Sequence, residues 1–265
     1  MINKNTIRVP LLNNHLLKKV VEKVNQDKKL INFWNIINFK AINRWCLTDH
    51  GPTHFQIVAN TGLRILRLLT KKGVKMSVAE DYGLTENHSE LIVFLASIFH
   101  DLGMIIDIDE HEKYSVLLCY QFLDQYLDFL NLNEKNIIIV ETLYAILHHQ
   151  NDKIPKTKEA GILKIADGLD ISEGRSRIPY QKGIINTLSI SAQAIKNITI
   201  KEGEKRPVKI EILMTNSSGI FQIDYLLKER VKKSGIAQFF ELKAYIKRKE
   251  EKKLITEYTI ENFND

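Results

Sequence analysis

One segment limits the possible folds of this chain more than any other. Leu91–Phe99 reads LIVFLASIF, is apolar on nearly every side, and runs directly into His100 and Asp101. Such a run fits a buried strand or a buried helix, but Asn87 as a helix cap, with Glu90 three residues later, favours the helix. An ionised aspartate at the edge of a buried helix is costly unless a partner pairs with it. The segment therefore predicts a fully buried helix whose end would suit a metal ion.

The N-terminal part of the chain has the residue spacing of helices. In Phe55–Lys72 the apolar side chains recur on one face, and Gly73 is placed to end the helix. The same spacing predicts helices over Lys113–Leu130, Ile137–His149 and Lys158–Ile171. We therefore expect an all-α helical bundle over residues 1–185.

The C-terminal part has a different pattern. Ile198–Lys201 and Val208–Thr215 are rich in strand-forming residues and flank a turn. The remaining predicted elements are a short strand over Ile220–Ile223, a helix over Tyr225–Lys233 that Gly235 ends, and a hairpin of Phe239–Ile246 with Leu254–Ile260. Residues 186–265 are thus predicted to form a small α+β domain. The predicted fold class is mainly α, a helical bundle followed by this α+β domain.

Composition narrows the class of protein. The chain of 265 residues is 44% hydrophobic and 26% charged, as in ordinary globular proteins. Its two cysteines, Cys46 and Cys119, form no CxxC pair, so neither a zinc ribbon nor a disulfide framework is predicted. No apolar leader and no run of ~18 apolar residues is present, so we expect a cytoplasmic protein without a membrane partner. The net charge of +6 is too small to predict nucleic-acid binding.

The histidines are distributed unevenly. All eight precede residue 150, at positions 15, 50, 54, 88, 100, 111, 148 and 149. We expect His15 and His88 at the surface and treat the others as candidate site residues. Imidazole together with carboxylate suits borderline divalent metals. Metal ligands are therefore expected within residues 50–170, and none from the C-terminal domain, which has no histidine or cysteine.

Several of these residues occur in a familiar order. His54, the doublet His100-Asp101 and Asp167 resemble the H…HD…D signature of the HD superfamily of metal-dependent phosphohydrolases. His111 and the pair at 148 and 149 resemble the extra histidines of the two-metal branch. The HD dipeptide alone is a weak signal, but the ordered set in helical contexts is specific. The resemblance covers about residues 44–180.

The resemblance implies a helical fold and a centre of two divalent ions, drawn from Mn, Fe, Ni, Co, Zn and Mg. The metal ligands that it implies are His54, His100, Asp101, His111, His148, His149 and Asp167. Asp101 is implied to bridge the ions and to act in catalysis. Neighbouring helix residues point ~100° apart, so His148 and His149 both face the site only if their helix ends there. Otherwise one of them supports the site from outside.

Further residues are candidates for catalysis and substrate binding. His50 lies one turn before His54 and is predicted to be an auxiliary catalytic group. Arg175 and Arg177, in EGRSRIP, follow the last predicted helix of the bundle, and arginine forks match phosphate oxygens. An exposed loop is the alternative for both arginines. Lys164 is predicted to face the substrate from the helix itself.

The predicted activity is hydrolysis of a phosphate ester or phosphoanhydride by metal-activated water. The substrate expected is a small phosphate compound, such as a nucleotide. The chain lacks the GYP tripeptide of the cyclic-dinucleotide branch and reads QNDKIP after the histidine pair, so that specificity is not carried over. The alternative is a metal- and nucleotide-binding regulatory module with little turnover. A homodimer is expected from the frequency of such oligomers.

Overall fold

A computed structural model describes residues 6–150, 153–171, 191–246 and 257–260. Eight helices make up the described N-terminal part: α1 (His15–Gln26), α2 (Lys28–Asn43), α3 (Pro52–Lys71), α4 (Ser77–Asp81), α5 (Glu86–Phe99), α6 (His111–Tyr126), α7 (Leu132–Leu147) and α8 (Lys158–Gly168). A 3₁₀ turn, Leu102–Ile105, joins α5 to α6. The predicted fold class, a helical bundle followed by a small α+β region, is confirmed.

Helix α5 lies at the centre of the bundle. It packs against α1, α3, α7 and α8, and every residue of Leu91–Phe99 is fully buried, as predicted. The predicted cap is wrong, because the helix begins after Thr85, whose backbone N–H donates to the His88 ring at 3.2 Å. His88 is therefore buried at the helix start and not at the surface. Asn87 lies within the first turn, where its carbonyl accepts a hydrogen bond from Asn14.

The other predicted helices are present with shifted ends. Helix α3 starts at Pro52, a residue suited to the first turn of a helix. Gly73 follows its end with a φ of +80°, which only glycine adopts without strain. Helix α7 ends at Leu147, so the chain leaves the helical path just before His149. This end places the two adjacent histidines outside a regular helix.

The C-terminal part forms a four-stranded sheet among the described residues. Its strands are β1 (Ile195–Glu202), β2 (Val208–Met214), β3 (Phe240–Ile246) and β4 (Glu257–Ile260), in the order β1-β2-β3-β4. The outer pairs are antiparallel, whereas β2 and β3 are parallel, with Ile210 opposite Leu242. A parallel pair needs a crossover. Here it contains the π-helical segment Gln222–Leu227 and the short helix α9 (Lys228–Lys232).

The predicted strand over Ile220–Ile223 is wrong, because this segment begins the helical crossover. Ile223, Leu227 and Val231 are buried, and their spacing of four residues is that of a helix face. A short apolar run does not distinguish a strand from a helix by itself. The spacing over the longer segment decides the element.

Helix α8 belongs to both parts of the fold. Leu163 and Ala166 pack into the core of the helical bundle. Ile162 and Ile165 pack into a second core, which the sheet shares with parts of α3 and α8. The sheet and α9 therefore lie against the helix that carries Asp167. The predicted domain boundary, between residues 185 and 186, falls outside the described residues and stays a prediction.

One described stretch, Glu86–Ile105, is long and apolar enough to cross a membrane by length and composition. Of its apolar window, 94% is buried inside the protein. Its hydrophobicity is thus accounted for by its place at the centre of the bundle.

Candidate metal centre

His100 and Asp101 lie at the C-terminal end of α5, where the chain turns sharply. Ser115 of α6 holds the backbone of this turn. Its hydroxyl accepts a hydrogen bond from Gly103 N–H at 2.7 Å and donates one to the His100 carbonyl, also at 2.7 Å. His100 is fully buried and Asp101 is 5% exposed. The buried helix thus delivers an imidazole and a carboxylate into the protein interior at a fixed position.

His54 enters the same region from the first turn of α3. Asp49 stabilises this turn, since its Oδ1 accepts from the backbone N–H groups of Gly51 at 3.0 Å and His54 at 3.4 Å. The next residue, Phe55, is fully buried and contacts the His100 ring, with centroids 5.7 Å apart. Burial of Phe55 on one side of the turn therefore fixes His54 on the other.

A first donor group forms where α3, α5 and α8 meet. Its members are His54 Nε2, His100 Nε2, Asp167 Oδ1 and Asp101 Oδ2. The two ring nitrogens are 3.2 Å apart. Asp167 Oδ1 lies 3.5 Å from His54 Nε2 and 3.7 Å from His100 Nε2. Asp101 Oδ2 lies 3.5 Å and 3.2 Å from the same two nitrogens.

A second donor group lies on the other oxygen of Asp101. Its members are Asp101 Oδ1, His111 Nε2 at the start of α6, and His149 Nε2 just after α7. The distances from Asp101 Oδ1 are 3.3 Å to His111 and 3.9 Å to His149. The two ring nitrogens are 3.3 Å apart. Asp101 therefore lies between two sets of histidines, with one oxygen towards each.

The Nδ1 atoms of these histidines explain their orientation. In His100, His111 and His149, Nδ1 lies between 2.6 and 3.0 Å from a backbone carbonyl oxygen of the same turn. In His54, Nδ1 lies 2.6 Å from Asp170 Oδ2. Carbonyl and carboxylate oxygens accept, so each Nδ1 carries the hydrogen. Metal-binding histidines are oriented by outer partners in the same way.

The residues present fit divalent metal ions. When the His54 and His100 rings are neutral, with the hydrogen on Nδ1, their Nε2 atoms direct lone pairs at each other across 3.2 Å, and a cation between them relieves that repulsion. Two sets of three residues each offer donor atoms that all lie within 4.8 Å of one another. The first set is His54, His100 and Asp167, and the second is His100, Asp101 and His149. Imidazole nitrogens and carboxylate oxygens are the ligands that borderline divalent metals prefer.

The comparison with protein families agrees with this geometry. The model of the family described as HD domain matches residues 72–172. The chain belongs to the HD family. It is also 35% identical over 244 residues to an uncharacterized protein of Methanocaldococcus jannaschii, covering 92% of this chain and 93% of that protein. No solved structure matches the chain. Membership of the HD family points to a metal-dependent hydrolase.

Two residues of this HD protein reach the centre without having been predicted. Asp170 accepts from His54 Nδ1 at 2.6 Å, and Arg230 of α9 donates to Asp167 Oδ2. Asp170 follows Asp167 by one helical turn, a spacing that could have indicated it. Arg230 is distant in sequence from the rest of the centre, so no local pattern points to it.

The structure places two of the predicted histidines differently. The His148 ring stacks on Tyr144, with centroids 4.0 Å apart, and its Nδ1 lies 2.9 Å from the Tyr144 carbonyl. Within the described part of the chain, His148 contacts neither donor group, which corrects its prediction as a ligand. The His50 ring lies beside the first donor group, 5.5 Å from the His54 ring. The catalytic role of His50 stays a prediction.

Of the predicted substrate-binding residues, the structure describes only Lys164, and it does not lie at an open surface. Lys164 is fully buried, and its ammonium donates to the carbonyl oxygens of Gln150 and Lys153. It therefore ties α8 to the loop after α7, and its predicted contact with substrate finds no support in this placement. Arg175 and Arg177 lie outside the described residues.

The charges of the centre stabilise one another. Burial alone would raise the pKa of Asp101, but the charge of His100 and the hydrogen bonds of the surrounding histidines hold it well below its usual range. Burial alone would also raise the pKa of Asp167. The charge of Arg230 is the largest effect in the other direction, and the pKa of Asp167 stays below its usual range. Burial lowers the pKa of His149 to about 3. Both carboxylates are therefore ionised, and His149 Nε2 keeps its lone pair, at neutral pH.

The shifted pKa of His111 should make the stability of the folded protein depend on pH. Burial opposes its protonation, but the hydrogen bond and charge of Asp101 outweigh burial and raise the pKa of His111 from 6.5 to about 9. A group with a higher pKa in the folded state stabilises the protein fully below its unfolded pKa, and loses that effect as pH rises through the folded pKa. We expect the metal-free HD protein to lose on the order of 2 kcal/mol of unfolding free energy from about pH 6.5 to 9.

Denaturant unfolding of chelator-treated protein across this pH range measures the effect. His111→Gln should flatten the profile, because glutamine does not titrate. Metal affinity should change in the opposite direction and increase with pH, since the ion displaces the same proton. A profile in His111→Gln that matches the wild type would contradict the assignment.

Proposed function

We propose that this HD protein is a metal-dependent phosphohydrolase that cleaves a phosphate ester or phosphoanhydride of a nucleotide or related compound in the cytoplasm. The observation that carries the proposal is the position of Asp101. Its Oδ2 lies 3.2 Å from His100 Nε2 and its Oδ1 lies 3.3 Å from His111 Nε2. A carboxylate between two histidine groups suits a pair of divalent ions, drawn from Mn, Fe, Ni, Co, Zn and Mg. Ion pairs ~3.5–4 Å apart recur in enzymes that hydrolyse phosphate esters.

The donor groups have separate roles in the proposal. His54, His100 and Asp167 would hold one ion, His111 and His149 would hold the other, and Asp101 would serve both groups. When bound, the ions polarise phosphoryl oxygens and lower the pKa of coordinated water from 15.7 towards about 7. The chain contributes a rigid and buried set of donors, with each ring already turned by its Nδ1 partner.

His50 is the proposed proton carrier. Its Nδ1 lies 2.9 Å from the Thr48 carbonyl, so Nε2 is the ring atom that exchanges a proton. Its ring lies 5.5 Å from that of His54, next to the first donor group. A positioned acid or base contributes roughly 10²–10⁴-fold to such reactions.

Substrate phosphate needs cations besides the metal ions, because negative charge develops on its oxygens. We assign this role to Arg175 and Arg177, which follow the helix that ends in the site aspartates. Their guanidinium groups match phosphate oxygens in pairs. A nucleotide is proposed as the substrate because its phosphate groups would bind the metal ions and these arginines.

A hydrolysis screen with the full-length protein tests the proposal. The substrates are p-nitrophenyl phosphate, bis-p-nitrophenyl phosphate and nucleoside mono-, di- and triphosphates, each with Mn²⁺ and with excess chelator. We expect release of phosphate or nitrophenol in at least one case, abolished by the chelator and restored by Mn²⁺. Binding of Mn²⁺ and nucleotide without turnover would favour the regulatory module instead. Failure to bind any divalent metal would overturn the proposal.

A further inference from the structure

Arg230 reaches the metal centre from the C-terminal part of the chain. Its Nη1 donates to Asp167 Oδ2, whereas Asp167 Oδ1 faces His54 at 3.5 Å and His100 at 3.7 Å. The two oxygens of Asp167 therefore have different partners. The Arg230 side chain is 19% exposed and that of Asp167 is 11% exposed, so water screens this pair only weakly.

Two glycines of α8 permit this approach. A Cβ at Gly168 would lie 2.4 Å from Arg230 Cδ, and a Cβ at Gly161 would lie 2.4 Å from the Ser234 carbonyl. Glycine inside a helix costs about 0.5–1 kcal/mol relative to alanine. Glycine occupies two of the positions at which this C-terminal segment meets α8, which indicates that a close contact is required there.

We propose that Arg230 is a positioning residue of the metal centre, which holds the Asp167 carboxylate so that Oδ1 faces His54 and His100. An aspartate at the end of a helix can rotate about its side-chain bonds. The guanidinium on Oδ2 fixes that rotation and leaves Oδ1 for the metal. Arg230 lies outside residues 72–172, the range that matches the HD domain.

This inference rests on the proposed metal binding and adds that metal binding depends on the C-terminal region. The C-terminal region carries no ligand of either donor group among the described residues, yet it controls one ligand through Arg230. Partners that orient a metal ligand from outside typically contribute ~10–100-fold to metal affinity. The helical part alone would therefore form an incomplete centre.

Four single variants of the full-length protein test the inference by calorimetric titration with Mn²⁺. Arg230→Ala should weaken Mn²⁺ binding by ~10-fold or more. Arg230→Lys keeps the positive charge and should bind Mn²⁺ more tightly than Arg230→Ala. Gly168→Ala should weaken binding similarly, because its methyl group displaces the Arg230 stem while Arg230 and Asp167 both remain. Lys228→Ala removes the same charge from α9, but its partner is Asp224 at 3.8 Å, so binding should not change.

The outcomes separate the inference from the proposed function. Wild-type affinity in both Arg230→Ala and Gly168→Ala overturns the inference and leaves the function standing. Absence of Mn²⁺ binding in the wild type overturns both. Thermal unfolding of the chelator-treated variants tests whether Arg230 has a structural role alone. Lower stability together with an unchanged Mn²⁺ affinity would also overturn the inference. If Arg230→Ala does not fold, Gly168→Ala decides, since alanine favours the helix.

Discussion

Asp101→Ala is expected to remove most of the bound metal and to lower the rate of metal-dependent hydrolysis by ~100-fold or more. The reason is its position between the donor groups. Both oxygens lie within 3.2–3.9 Å of histidine Nε2 atoms, so its loss affects both groups at once. His100→Ala should also strip metal, because His100 Nε2 approaches Asp101, His54 and Asp167.

The adjacent histidines after α7 provide a matched control for this prediction. His149→Ala should lose metal from the second donor group, whereas His148→Ala should keep it, because the His148 ring stacks on Tyr144. Elemental analysis of purified protein, together with hydrolysis rates, measures all four variants. Full metal content in both Asp101→Ala and His100→Ala would show that the donor groups are not the metal site. Equal loss of metal in His148→Ala and His149→Ala would show that His148 is also a metal ligand.

Gly103→Ala is expected to destabilise the fold and to disrupt the second donor group. A Cβ at this position would lie 2.0 Å from the His111 carbonyl and 2.5 Å from the Ser115 backbone nitrogen. Both are backbone atoms of α6, so the helix has to move as a unit. Overpacking of this kind typically costs ~1–3 kcal/mol, which corresponds to roughly 2–12 °C in unfolding temperature for a chain of this size. The shift should also carry His111 away from Asp101.

Thermal unfolding and metal content measure these two effects. Gly168→Ala is the control for thermal unfolding, since its added Cβ meets the flexible side chain of Arg230 and no backbone atom among its nearest neighbours, and it should cost less stability. Ser115→Ala keeps the space at Gly103 but loses the hydrogen bonds of the turn, at a cost of ~1–3 kcal/mol. An unfolding temperature of Gly103→Ala equal to that of the wild type would disprove the close packing of α6 on this turn.

The sequence predicted the central parts of the fold because they depend on local patterns. Leu91–Phe99 is apolar on nearly every side, and this composition predicted that the whole segment would be buried. The end of α3 followed from Gly73, whose φ of +80° is unfavourable for other residues. The predicted Ile220–Ile223 strand was wrong because a four-residue segment, of which three residues are apolar, is too short to define a period.

The chemical nature of the centre was also predictable from sequence. Histidines and aspartates in the order of His54, His100-Asp101, His111 and Asp167 indicated a divalent metal site, and the structure brings these residues together. The finer choice between His148 and His149 was not predictable. Adjacent residues differ by ~100° in direction on a helix, so the choice depends on how the chain leaves α7.

By itself, then, the sequence determined which side chains could bind metal and which helices would carry them, because residue type and apolar period are local properties. Only the tertiary structure decided which atoms meet. Asp101 divides its oxygens between two histidine groups, and Asp170 orients His54 across the bundle. Arg230 approaches Asp167 only because the C-terminal segment packs against glycines of α8. These contacts join residues that are distant in sequence, and they follow from the packing of whole helices, which no single segment encodes.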